Sequence, residues 1–203
     1  HPLGALVVGA VAGALFVVAG ADLVQSLGAA ALAGLAMIAT AQTYQRERIG
    51  HFWNPCSDAN PQLEQVCQGV IAMGSGGLAG LGIGASRFRW ELHAAYSDSI
   101  LAIIGEELGL LGTLFVVVMF GVLLARGFTI AMHTPDSFGR LTAIGISLWI
   151  GFQACINLGG AVALLPFTGV PLPFISFGGS SLVSLMMACG ILLNISRQNA
   201  RAP

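Results

Sequence analysis

The chain has 203 residues, of which 56% are apolar and only 8% charged, with a mean hydropathy of +0.84 and a net charge of −1. A soluble domain carries about 25% charged residues, so this composition excludes an ordinary soluble globule and reads as an all-α, polytopic transmembrane helical bundle. All eight cations are arginines, and the near-neutral balance gives no footing for nucleic acid or another polyanion.

Apolar runs of ~20 residues, the length a helix needs to cross a bilayer, predict five spans. The first covers about Leu3 to Gly20 and the second about Leu23 to Ala41, so that residues 1–41 form two transmembrane helices. His1-Pro-Leu-Gly lacks the basic n-region of a cleavable signal, and with no initiator Met further sequence is expected upstream.

Residues 42–97 form a long, mixed region. Within it, Val66 to Ala85 is apolar but holds seven glycines, each weakening a helix by ~1 kcal/mol. It is expected to be re-entrant or to lie along the surface. The glycine run Gly74 to Ser86 is not followed by Gly-Lys-Ser/Thr and sits in no βαβ unit, which excludes a P-loop and a dinucleotide fingerprint. Backbone N–H groups at Ser75, Gly76 and Gly77 can approach an anion or a sugar closely, or the segment is a flexible loop. Arg48, Arg87 and Arg89 are the cations placed to meet a phosphate. Cys56 and Cys67 share this region, match no zinc spacing, and can pair if it faces an oxidising compartment.

The third span is predicted from Asp98 to Ala125, the fourth from Leu141 to Leu165 and the fifth from Ser176 to Ile195, with a Pro/Gly/Ser loop at 166–181. Arginines divide four against four between the two sides. Long loops cross a membrane regardless of charge, which favours an extracytoplasmic position for 42–97. Cys155 and Cys189 fall inside apolar runs as small hydrophobes, and His51, His93 and His133 have no metal-like spacing.

On the third span Asp98, Ala102, Gly105, Gly109 and Gly112 fall within about 40° of one line. This smooth stripe lets another helix approach closely, with a carboxylate at its outer end. Asp98 is either a chemical group there or a helix cap. Glu106 and Glu107 lie ~12 Å deeper, where an acidic residue costs ~3 kcal/mol unless partnered. Facing about 100° apart, they cannot share one cavity, so one marks a polar interior site or pairs with a neighbouring helix. On the fourth span Gln153 and Asn157 share a face and can hydrogen-bond across helices. Thr168, Ser176 and Ser180 come to the same membrane side as Asp98 under this topology.

These residues give a resemblance. Tyr44-Gln-Arg-Glu-Arg48, Phe52-Trp-Asn-Pro55, Gly74-Ser-Gly-Gly77, Ser97-Asp98, Ile104-Gly-Glu-Glu-Leu-Gly109, Gln153-Ala-Cys-Ile-Asn157, Leu164-Leu-Pro166, Pro171-Leu-Pro-Phe-Ile-Ser-Phe-Gly-Gly-Ser-Ser181 and Gly190-Ile-Leu-Leu-Asn-Ile195 run in the order of the FtsW/RodA/SpoVE (SEDS) family. The chain resembles the C-terminal half of that ten-helix fold and is closer to the FtsW cell-division branch. The resemblance implies a peptidoglycan glycosyltransferase of the bacterial cytoplasmic membrane. Such an enzyme polymerises lipid II beside a class B penicillin-binding protein, with the long loop extracytoplasmic. It maps the family's essential aspartate onto Asp98, and makes Ser97, Thr168, Ser176 and Ser180 candidates for substrate binding. Leu92-His-Ala-Ala-Tyr-Ser-Asp98 departs from the family pattern Leu-Pro-x-x-His-Thr-Asp at His93, Tyr96 and Ser97, and Phe88-Arg89 stands for Gln-Lys. No cofactor is implied; a divalent cation stays open, with no dedicated ligand set. A lipid-linked precursor flippase and a non-catalytic scaffold for a penicillin-binding protein are the alternatives.

Overall fold

The computed structural model describes residues 2–20, 28, 56, 61–88, 98–166 and 169–200. The second predicted span apart from Gly28, and Arg46, Arg48, Phe52 to Pro55, Arg89, His93, Tyr96, Ser97 and Thr168, lie outside them. Five helices are described: α1 Pro2–Val18, α2 Pro61–Ser75, α3 Ile100–Met132, α4 Ser137–Ala161 and α5 Gly179–Asn199. Of these, α3, α4 and α5 are long and apolar enough to cross a membrane. Leu111, Leu114, Phe115, Met119 and Val122 of α3 stay exposed, the pattern of a helix whose solvent is lipid.

Three helix ends differ from the sequence expectation for local reasons. Helix α3 runs through Arg126 to Met132, because arginine is a good helix former and its long stem tolerates the edge of an apolar span. Helix α4 begins at Ser137 because the Asp136 carboxylate accepts the Gly139 N–H at 2.7 Å, a side-chain cap. It stops at Ala161, where Ala163 takes φ 55° and the Leu164 and Leu165 N–H groups both return to the Gly159 carbonyl.

The chain divides into two compact units. The first comprises His1–Thr40, Phe120–Phe152 and Gly179–Pro203. Its contacts rest on small residues. A Cβ on Gly145 would stand 3.1 Å from Leu15 of α1, and one on Gly151 3.1 Å from Leu124 of α3. Ala131, Ala143 and Ile195 form a core in this unit. Asn199 closes it by donating to the Ile130 carbonyl (3.1 Å) and to Thr134 Oγ1 (2.9 Å).

The second unit comprises Ala41–Met119 and Gln153–Gly178. The small-residue stripe of α3 receives α2 here. Gly69 of α2 faces Ala102, and Gly105 faces Met73, around a core of Ala72, Phe88, Ala102 and Ile103. At Gly109 the helix breaks (φ 67°, ψ −161°). The segment after α2 fills the gap. The Leu81 and Gly82 N–H groups donate to the Glu106 and Glu107 carbonyls (2.9 and 3.0 Å), and the Leu110 and Leu111 N–H groups donate to the Gly77 and Leu78 carbonyls (2.9 and 3.3 Å). A broken helix is tolerated in a membrane only when its freed backbone groups are satisfied in this way. The glycines follow from the fit: a Cβ on Gly76 would overlap the Gly105 carbonyl, and one on Gly80 the Glu107 carbonyl. Cys56 and Cys67 are joined by a disulfide that anchors the chain before α2 to the helix itself.

Candidate active site

The site lies in the second unit, where the start of α3 meets the end of α4 and the Pro/Gly loop. Asp98 is half-buried, two residues ahead of α3. Ser99, 5% exposed, is the residue whose carbonyl accepts the Ala102 N–H, and its Oγ accepts a hydrogen bond from Gln65 Nε2 of α2 at 3.1 Å. The chain at Asp98 is therefore pinned on one side by α2.

Helix α4 pins the other side. Asn157 Nδ2 donates to the Asp98 carbonyl at 3.0 Å and to the Val170 carbonyl at 2.7 Å. One turn earlier, Gln153 Nε2 donates to the Pro171 carbonyl at 3.0 Å. Both amides are buried. They serve a loop that prolines bar from regular pairing, since Pro171 and Pro173 have no N–H to offer. Gly169, at φ 65°, brings its backbone against the carboxylate; a Cβ there would stand 3.2 Å from Asp98 Oδ2. Beyond it, the Ser176 N–H donates to the Leu172 carbonyl (3.0 Å), while Ser176 Oγ accepts from the Leu172 N–H (2.8 Å). Phe174, inside this closed turn, takes φ 65°, a conformation a bulky residue adopts only when its surroundings impose it.

Glu106 belongs to a separate cluster of the same unit. Its carboxylate, 3% exposed, accepts from Ser86 Oγ at 2.5 Å and from the Arg87 and Phe88 N–H groups at 3.2 and 3.3 Å. Three donors satisfy the acceptor atoms of this buried side chain, which water no longer reaches. The Arg87 side chain is exposed and borders a cavity of ≈ 380 Å³ with Gln68, Ile71, Ser75 and Leu81. Glu107 is only half-buried.

Asp98, Gln153, Asn157 and Ser176 thus fall into one unit, around one loop. The backbone of Gly76 and Gly77, expected to approach a ligand, is used for docking α3, and Ser75 Oγ donates to the Ala72 carbonyl (2.7 Å). Ser180 lies in the first turn of α5, in the other unit. Gly169, beside the Asp98 carboxyl, and Ser86, which donates to Glu106, are positions that sequence reading passed over. A glycine between Thr168 and a Pro-x-Pro run was the available signal for the first; Ser86, at the end of the glycine run, gave none. Among the described residues no group of three or more His, Cys, Asp or Glu is placed to hold a metal ion.

The model of the FtsW/RodA/SpoVE family, described as "Cell cycle protein", matches residues 3–201. Stage V sporulation protein E of Bacillus subtilis is 42% identical over 172 residues, 84% of this chain and 47% of that protein. The probable peptidoglycan glycosyltransferase FtsW of Geobacter sulfurreducens is 39% identical over 207 residues, 100% of this chain and 56% of that protein. Among solved structures, a chain of a peptidoglycan synthase complex described as coordinating polymerization and crosslinking matches with TM-score 0.65 and 29% identity, over 89% of this chain and 50% of that one. A mutant of the rod shape determining protein RodA from Thermus thermophilus matches with TM-score 0.51 and 31% identity, over 67% of this chain and 41% of that one. The chain therefore spans about half the length of the relatives it matches. The acidic start of α3, the glycine segment docked into its break and the amide-held proline loop thus occur in a chain that belongs, over nearly its whole length, to the FtsW/RodA/SpoVE family.

Proposed function

We propose that the protein carrying this chain is a peptidoglycan glycosyltransferase that polymerises lipid II, with Asp98 as general base. The observation that supports this most is the placement of one carboxylate between α3 and a loop whose position two buried amides fix. In the reaction, a sugar hydroxyl of one lipid-linked disaccharide attacks the anomeric carbon of another. Asp98 takes the hydroxyl proton as the new C–O bond forms. The bond from the anomeric carbon to the pyrophosphate oxygen breaks, and its electron pair leaves with the polyprenyl pyrophosphate. Base assistance of this kind contributes ~10²–10⁴ in rate. Arg87, with Arg48 and Arg89, supplies positive charge for the departing pyrophosphate.

The relatives' names support the reaction, and the synthase complex among the structural matches supports a class B penicillin-binding protein as partner. We place the protein in the bacterial cytoplasmic membrane with residues 42–97 extracytoplasmic, where lipid-linked sugars are polymerised. The Asp98→Asn variant is expected to reach the membrane in normal amount and to lose polymerisation of purified lipid II by ~10²-fold or more. Retained polymer formation removes Asp98 from the base role.

One observation favours a second reading. The helix break at Gly109 has the form of the discontinuous helices found in transporters. Protein in detergent with lipid II separates the two: polymer there means an enzyme, whereas movement of lipid II across liposomes without polymer means a flippase.

A further inference from the structure

Asn157 is 5% exposed, yet among the described residues its Oδ1 is buried without a hydrogen-bond partner. Exchanging its oxygen and nitrogen would set Oδ1 against the carbonyl oxygens of Asp98 and Val170, so the donor pattern fixes the orientation of the amide. Its two N–H groups match two carbonyls from segments far apart in the chain. One leads into α3 and carries the Asp98 carboxyl; the other belongs to the loop whose Gly169 backbone abuts that carboxyl. A residue retained only for packing would be better served by an apolar side chain of the same size than by an amide with an unpaired buried acceptor.

We propose that Asn157 is the positioning residue of the Asp98 site. It touches neither sugar nor pyrophosphate. Its amide locks the start of α3 to the 169–171 segment, and so sets the direction of the Asp98 carboxyl relative to the loop. This rests on the base role proposed for Asp98. A displaced base loses rate more than affinity, because geometry at the reacting atoms counts most in the transition state.

The test uses Asn157→Ala and the shape-preserving Asn157→Asp, purified with the protein's native flanking sequence and checked for monodispersity. Lipid II turnover gives kcat and KM. Amide hydrogen exchange over 169–176 gives the state of the loop. Both variants are expected to lower kcat ~10–100-fold with KM changed less than about threefold, and to speed exchange in 169–176. Wild-type kcat in either variant overturns the proposal, as does a loss confined to KM or unchanged exchange. Failure of both variants to fold also overturns it, by making Asn157 a stability residue. If Asp98→Asn stays active, the base role falls, and the exchange experiment still decides whether Asn157 holds the loop. If Asp98→Asn is inactive while Asn157→Ala turns over at the wild-type rate, only the present inference falls.

Discussion

Removing the Glu106 carboxyl takes away the acceptor shared by the Ser86 hydroxyl and the Arg87 and Phe88 N–H groups. Each such loss costs ~1–3 kcal/mol, less in sum because the segment relaxes. Glu106→Ala is therefore expected to destabilise by about 3 kcal/mol, and Glu106→Gln, which keeps one acceptor oxygen, by about half that. Thermal unfolding of the two variants in detergent checks the order. Asp136→Ala removes a helix cap and is expected to cost ~1 kcal/mol in the same measurement. At this scale the sequence was partly legible. Two acidic residues inside an apolar span demanded partners, and the split between a buried Glu106 and a half-buried Glu107 follows from their angular separation. The identity of the partner was not readable, because Ser86 reaches Glu106 only through the docking of a separate segment.

The glycine segment is an element with no regular secondary structure whose backbone does the work of a helix neighbour. Its glycines are not equivalent. Gly80 (φ 80°) has no room for a Cβ, Gly82 (φ 107°) has room but the same kind of backbone, and Gly74, inside α2, has both room and helical geometry. Gly74→Ala is expected to stabilise by ~0.5–1 kcal/mol, Gly82→Ala to cost ~1–2 kcal/mol, and Gly80→Ala to cost more than Gly82→Ala. The order is read from melting temperatures. Glycine density alone did not distinguish a ligand cradle from a backbone splice, because both need close approach of main chain. The small-residue stripe of α3 did announce that something would pack there. That its partner would come from the long region between spans was hidden, since α2 is short and its apolar face is interrupted by Gly69 and Gly74.

At the scale of the molecule, apolar runs and the order of motifs carried the all-helical membrane architecture, because lipid leaves few alternatives for a chain this oily. The loop at 166–181 was legible as irregular from its prolines and glycines. Its attachment to Gln153 and Asn157 was not, since it depends on tertiary placement of two amides. The Cys56–Cys67 bond gives a whole-molecule test of sidedness. It persists only in an oxidising compartment. In intact cells both thiols are expected to resist alkylation until a reductant is added, and then to take up label together. Labelling without reductant would place residues 56–67 on the reducing side.

The break at Gly109 also bears on how the protein is made. Released alone into acyl chains, a nascent α3 would carry main-chain groups with nothing to bind. The stretch that accepts them, 77–82, is translated first. Each ribosome thus delivers the lining before the gap, and biogenesis can proceed without a helix waiting half-dressed in lipid.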